Sequence, residues 1–196
     1  MYGWLNSIGY LLGFGTAAGV RPALTLVILG LISRLDFTRL DFGPDVGHPF
    51  VFLRHWPVII AFAVLAIFES KFDNVPSLDR IQDRLLMPWR VVGGAIAGGA
   101  VMRHGTLGLV IGLVVGAAVA WLGQSVKHGT RPAKPPSGLA LALISLSEDL
   151  FTFIGAIATA LFGLLGYLFF CINVWLYVRL RRRRRQKYKG LRVLRE

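Results

Sequence analysis

The stretch "GTAAGVRP", residues 15–22, sets an arginine and a proline inside the apolar run 4–33. Proline has no amide hydrogen to donate, and its ring clashes with the preceding helical turn. It also pushes the residue before it out of the α region. The spacing therefore predicts a helix that breaks or kinks at Val20–Arg21, with Pro22 opening a new helix, a position that suits proline. At membrane depth a break is tolerated only inside protein or beside a water-filled cavity. The positive end of the second helix and the Arg21 guanidinium then converge, and an anion is their natural guest. The plainer alternative is a proline kink whose Arg21 pairs with an acid inside the bundle.

Working outward, the chain of 196 residues is 55% hydrophobic and 16% charged. Its mean hydropathy is +0.60. Several apolar runs approach or exceed the length that crosses a hydrocarbon core. The expected fold class is an all-α integral membrane protein, a compact bundle of four to six spanning or half-spanning helices with a broken first helix. The short alternating segments of a β-barrel are not seen.

Six apolar segments are marked: 4–33, 57–68, 91–102, 107–123, 138–146 and 150–178. The second, third and fifth would rise only about 14–18 Å as helices, near half a membrane. The third and fourth read as one kinked span broken at 103–105, or as two pieces. Residues 77–89 read as a short amphipathic helix capped by Ser77, in the interface plane or on the protein's own rim. The run 138–178 would be about 61 Å long as one helix. It is expected to turn near "SLSEDL", with Ser147 capping the next helix.

The net charge is +12, and the segment 179–196 holds ten Lys/Arg against one acid. Basic residues flanking a span stay on the cytoplasmic side. The expectation is a single membrane domain, 1–178, and a basic cytoplasmic tail, 179–196, touching anionic lipid heads in the cytoplasmic (inner) membrane. No nucleic-acid partner is expected, since no reading module accompanies the basic run. Cys171 has no partner for a disulfide or a metal, and no cofactor is implied. No nucleophile elbow, P-loop or HExxH occurs, so an enzyme is not expected.

Glycines recur four apart: Gly15 and Gly19, Gly94 and Gly98, and Gly108, Gly112 and Gly116, followed by Ala120. Such stripes let helices approach closely. Segments one, three and four are expected to form the packed centre. The same stripes would serve a homo-oligomer.

A second Arg-Pro occurs in "VKHGTRPAKPP" at Arg131–Pro132, expected nearer the water. Acids echo the duplication: Glu69 and Asp73 follow one short apolar segment, and Glu148 and Asp149 follow another. This is the pattern expected of an internal, inverted repeat with halves near 4–90 and 91–178, and of a binding site near the midplane. The two copies are spaced differently. The candidate substrate-binding residues are Gly19, Arg21, Pro22, Glu69, Asp73, Arg131, Pro132, Glu148 and Asp149.

Together, "GTAAGVRPALTL", "FESKFDNVPSLDRIQDRLLMPWRVVGGAIAGGAV" and "SLSEDLF" resemble a bacterial integral-membrane family known as domain of unknown function 4126. The matching positions run from Gly19, Arg21 and Pro22 through Glu69, Asp73, Pro76, Asp79, Asp83, Arg90 and Gly94 to Arg131, Pro132, Ser145, Glu148 and Asp149. The resemblance implies the membrane class and this choice of residues, and no activity. The expected function is a small transporter or channel-like protein for an anionic or phosphate-bearing solute or lipid headgroup. Its alternatives are a non-transporting scaffold held by buried ion pairs and, last, a membrane enzyme acting on lipid phosphates.

Overall fold

A computed structural model describes residues 2–35, 40, 49–72, 79–102, 105–130 and 138–193. Among these residues the chain is all-helical, without strands. Seven α-helices follow one another: α1 (Tyr2–Val20), α2 (Pro22–Arg34), α3 (Trp56–Phe72), α4 (Asp79–Val101), α5 (Gly105–Thr130), α6 (Gly138–Leu161) and α7 (Gly163–Val193). A short 3-10 turn, Val51–Arg54, precedes α3. Asp73, Ser77, Arg131 and Pro132 lie outside the described residues.

The first helix breaks as its sequence requires. Arg21 stands between α1 and α2 with φ −141° and ψ 83°, and Pro22 is the first residue of α2. The interruption is one residue wide. The Arg21 amide still donates to Ala17 O (2.9 Å), and the Thr25 amide donates to Arg21 O (3.0 Å). Thr25 Oγ1 gives that carbonyl a second bond (2.9 Å).

Glycine lets three helices crowd around this break. A Cβ added at Gly93 of α4 would lie 2.6 Å from Pro22 Cβ. One added at Gly123 of α5 would lie 3.2 Å from Gly19 Cα, and one at Gly19 would collide with the Ala120 carbonyl. The same economy joins α4 to α5. Gly98 faces Gly112, and Gly94 faces Gly116, so the two helices run antiparallel with backbone against backbone. Helices α1, α4 and α5 form the centre, as their glycine stripes predict. A further seam joins Gly9 and Gly13 of α1 to Gly163 and Gly166 of α7.

Three expectations are corrected. Segments three and four are not one kinked span: the chain reverses at Gly105, whose φ of +66° is open to glycine without strain. The amphipathic stretch at 79–89 is not a separate interfacial helix but the first half of α4, which carries Pro88 in its interior. The turn expected near Glu148 lies instead at Phe162, and α6 runs unbroken through both acids. Ser147 caps nothing; its hydroxyl donates to Ile144 O within α6 (2.7 Å).

The core is built from Phe14, Leu26, Leu29 and Ala97 with their neighbours. Outward faces stay apolar: Ile67 of α3, Val114 of α5, Leu146 of α6 and Leu164 of α7 are each more than 60% exposed. Helices α5 and α6 and the Gly163–Arg183 part of α7 are long and apolar enough to cross a membrane.

Candidate functional site

Charged side chains converge where α1 breaks. Arg21, 2% exposed, has no room to leave the bundle. Its Nη2 donates to Ser145 Oγ of α6 (2.6 Å). Its Nε lies 2.6 Å from Asp149 Oδ1, and its Nη2 lies 3.9 Å from Glu148 Oε2. Ser145, Glu148 and Asp149 are spaced i, i+3, i+4, so one face of α6 presents all three. That spacing explains the Ser-x-x-Glu-Asp pattern of the sequence.

Lys127 completes the cluster from α5. It is 3% exposed. Its Nζ lies 3.1 Å from Glu148 Oε2 and donates to Val20 O (3.4 Å), a carbonyl at the end of α1. One carboxylate thus spans two cations, and one cation closes the broken end of a helix. The second Arg-Pro element is expected nearer the water, but Lys127 beside it is buried in the bundle. The signal was present: Gly116, Ala120, Gly123 and Lys127 continue one buried stripe down α5.

Helix α3 brings Glu69 and Ser70 to the same centre. Ser70 Oγ donates to Asp149 Oδ2 (3.1 Å). Glu69, 5% exposed, accepts from Trp89 Nε1 of α4 (2.8 Å). Arg21, Lys127 and the buried Arg90 all act on it electrostatically. Its Oε2 has no hydrogen-bond partner among the described residues. Ser70 and Trp89 carry no charge themselves, so charge patterning does not single them out. Replacing Trp89 by phenylalanine keeps the ring that stacks near Phe62, at 6.1 Å between centroids, and removes the donor. The expected loss of stability is about 1–3 kcal/mol, because a buried carboxylate oxygen then lacks its partner. Denaturant titration in detergent checks it.

The centre therefore gathers three buried cations, Arg21, Arg90 and Lys127, with three carboxylates, Glu69, Glu148 and Asp149. Of the residues selected from sequence, the structure brings together Arg21, Glu148 and Asp149 directly and sets Glu69 beside them. Gly19 and Pro22 serve as packing surfaces for α5 and α4. Among the described residues no group of His, Cys, Asp and Glu is arranged to hold a metal ion.

A groove of about 460 Å³ opens from this centre between α2, α3 and α6. Its walls are Leu24, Val27, Ala63, Ile67, Leu150 and Phe153 among others, and its polar end is Arg21, Ser70 and Asp149. Asp149, with 29% of its side chain accessible, is the most open charge of the cluster.

An all-helical bundle with three candidate spans and a charged centre at a helix break defines the class. Within it, the chain belongs to the family described as "Domain of unknown function (DUF4126)", whose family model matches residues 8–183. Neither the curated proteins nor the solved structures contain a match to it.

Proposed function

We propose that the chain is an integral protein of the cytoplasmic membrane that binds an anionic or phosphate-bearing solute or lipid headgroup at the Arg21 centre and passes it across as a transporter or channel-like protein. One observation carries the reading: a buried guanidinium at a helix break stands at the inner end of an open, apolar-walled groove. Ionisable groups inside a membrane are costly and are kept mostly for function. In the empty state Glu148 and Asp149 hold the place of the anion; the guest competes for Arg21 and displaces them. The apolar outer faces of α3, α5, α6 and α7 support the membrane placement, since patches of that extent aggregate in water. The basic end of α7 supports a cytoplasmic C-terminus. The duplicated Arg-Pro elements support a site built from two related halves, with Arg131 and Pro132 as the second contribution and Asp73 as a further acid. The reading is non-catalytic, and the glycine stripes suit assembly into a homo-oligomer.

A second reading, a scaffold without cargo, is favoured by the completeness of the internal pairing, in which Arg21 alone engages Ser145, Glu148 and Asp149. Arg21→Lys separates the two. Lysine keeps the charge and loses the fork that spans several oxygens. Native mass spectrometry of gently extracted protein is expected to show a discrete anionic adduct on the wild type and none on a folded Arg21→Lys variant. No adduct on either protein, with equal melting temperatures, would sink the transport reading in favour of the scaffold.

A further inference from the structure

A second recess, of about 290 Å³, lies between the last turns of α5 and the middle of α7, apart from the Arg21 centre. It is lined by Trp121, Ser125, His128 and Gly129 of α5 and by Tyr177, Leu180 and Arg181 of α7. Two aromatic rings, two basic side chains and the hydroxyls of Ser125 and Tyr177 therefore share one small concavity. Its charge is of one sign: no acid is among its lining residues.

Its position along the helices matters as much as its composition. The apolar part of α7 ends where the arginines begin, at Arg179, whose guanidinium covers the Trp175 ring at 5.0 Å from its centroid. Trp121, Trp175 and Tyr177 thus gather at one level, which is where aromatic side chains sit in membrane proteins, beside the headgroups. On α5, Val114 lies seven residues before Trp121 on the same face and is 64% exposed. An apolar track leads from that face into the recess. His128 stands in the last turn of α5 beside Lys127, where basic side chains suit the negative end of a helix.

We infer that this recess is a binding site for the phosphate headgroup of an anionic phospholipid, with Arg181 and His128 facing the phosphate, Tyr177 available as a hydroxyl donor, and the acyl chains running along the exposed apolar face of α5. The assignment rests on the membrane placement above but not on the Arg21 site. The recess is too small for a whole lipid and open on its outer side, so it selects the head and leaves the chains outside. It also differs from the adsorption that a basic segment alone would give. Adsorption depends on total charge, whereas a built site depends on the particular arginine that reaches into it.

That difference gives the test. The full-length protein is purified in detergent and titrated with phosphatidylglycerol or phosphatidylcholine, and lipid retention is read by native mass spectrometry under collisional activation. Phosphatidylglycerol is expected to be retained as a single discrete copy, and phosphatidylcholine is not. Arg181→Gln should lower the retained fraction about tenfold, the effect of removing one charge-assisted hydrogen bond. Arg183→Gln removes the same charge outside the recess and should change retention by less than about twofold. Trp121→Ala, at a half-open position that the core does not need, should weaken retention without changing the melting temperature. Equal losses in Arg181→Gln and Arg183→Gln would overturn the site in favour of adsorption. Equal protection by inorganic phosphate would overturn the lipid as its source. A failure of the membrane placement itself is read separately, as recovery of the protein in the aqueous fraction after alkaline extraction of membranes.

Discussion

Arg21→Met is expected to destabilise the bundle by about 3–5 kcal/mol, the cost of removing one partner from a buried ion pair. The substitution strips Asp149 of its nearest cation and Ser145 of its donor. Glu148 keeps Lys127 at 3.1 Å, so the damage is concentrated on Asp149. Because Asp149 is partly accessible, water can recover some of its solvation, and the lower half of that range is expected. Arg21→Met combined with Asp149→Leu should regain more than half of the loss, since replacing both members of a buried pair by apolar residues is often neutral. The four proteins form a cycle whose coupling term isolates the pair. Unfolding in mixed detergent, followed by circular dichroism, measures it. A coupling near zero would mean that Arg21 stabilises the fold through the helix break rather than through α6.

Gly98→Leu should cost nearly as much, for a different reason. A Cβ at position 98 would meet the Gly112 carbonyl and would lie 2.9 Å from Gly116 Cα and 2.7 Å from Leu11 Cδ1. Two of these neighbours are backbone, which cannot turn aside as a side chain does. Helices α4 and α5 would have to separate along their whole contact, at a cost of about 3 kcal/mol. Val114→Leu, on the outward face of the same α5, should stay within about 0.5 kcal/mol. Melting temperature and yield of folded protein in detergent check both. A Gly98→Leu protein as stable as wild type would show that the close α4–α5 contact is not needed.

Features with a steric cause were legible in the sequence. Pro22 dictates a break whatever surrounds it, and glycines four apart dictate close approach whichever helices meet. Features that depend on partners were not. Glu148 and Asp149 look like a boundary in any reading that counts charges as the end of an apolar segment. In the structure Arg21 and Lys127 neutralise them, so α6 passes through without turning. Lys127 is a second case: a lysine two residues before a Gly-Thr-Arg-Pro element suggests water, and only the stripe of small residues above it points inward. Residues 77–89 suggest a separate helix because their polarity differs from the apolar stretch that follows. The backbone has no reason to stop there, and α4 continues past Pro88.

The unbroken course of α7 has a consequence for electrical reach. From Arg179 to Val193 the segment stays helical, so it extends about 22 Å along its own axis. A flexible strand of the same composition could fold every charge onto one plane. A rod cannot. At physiological salt, fields between exposed charges fade over about 8 Å, roughly the first five residues of the rod. Charges beyond that distance are heard only by what approaches them from solution. Whatever lies level with Arg179 is therefore close to the base of this helix and more than a screening length from its end.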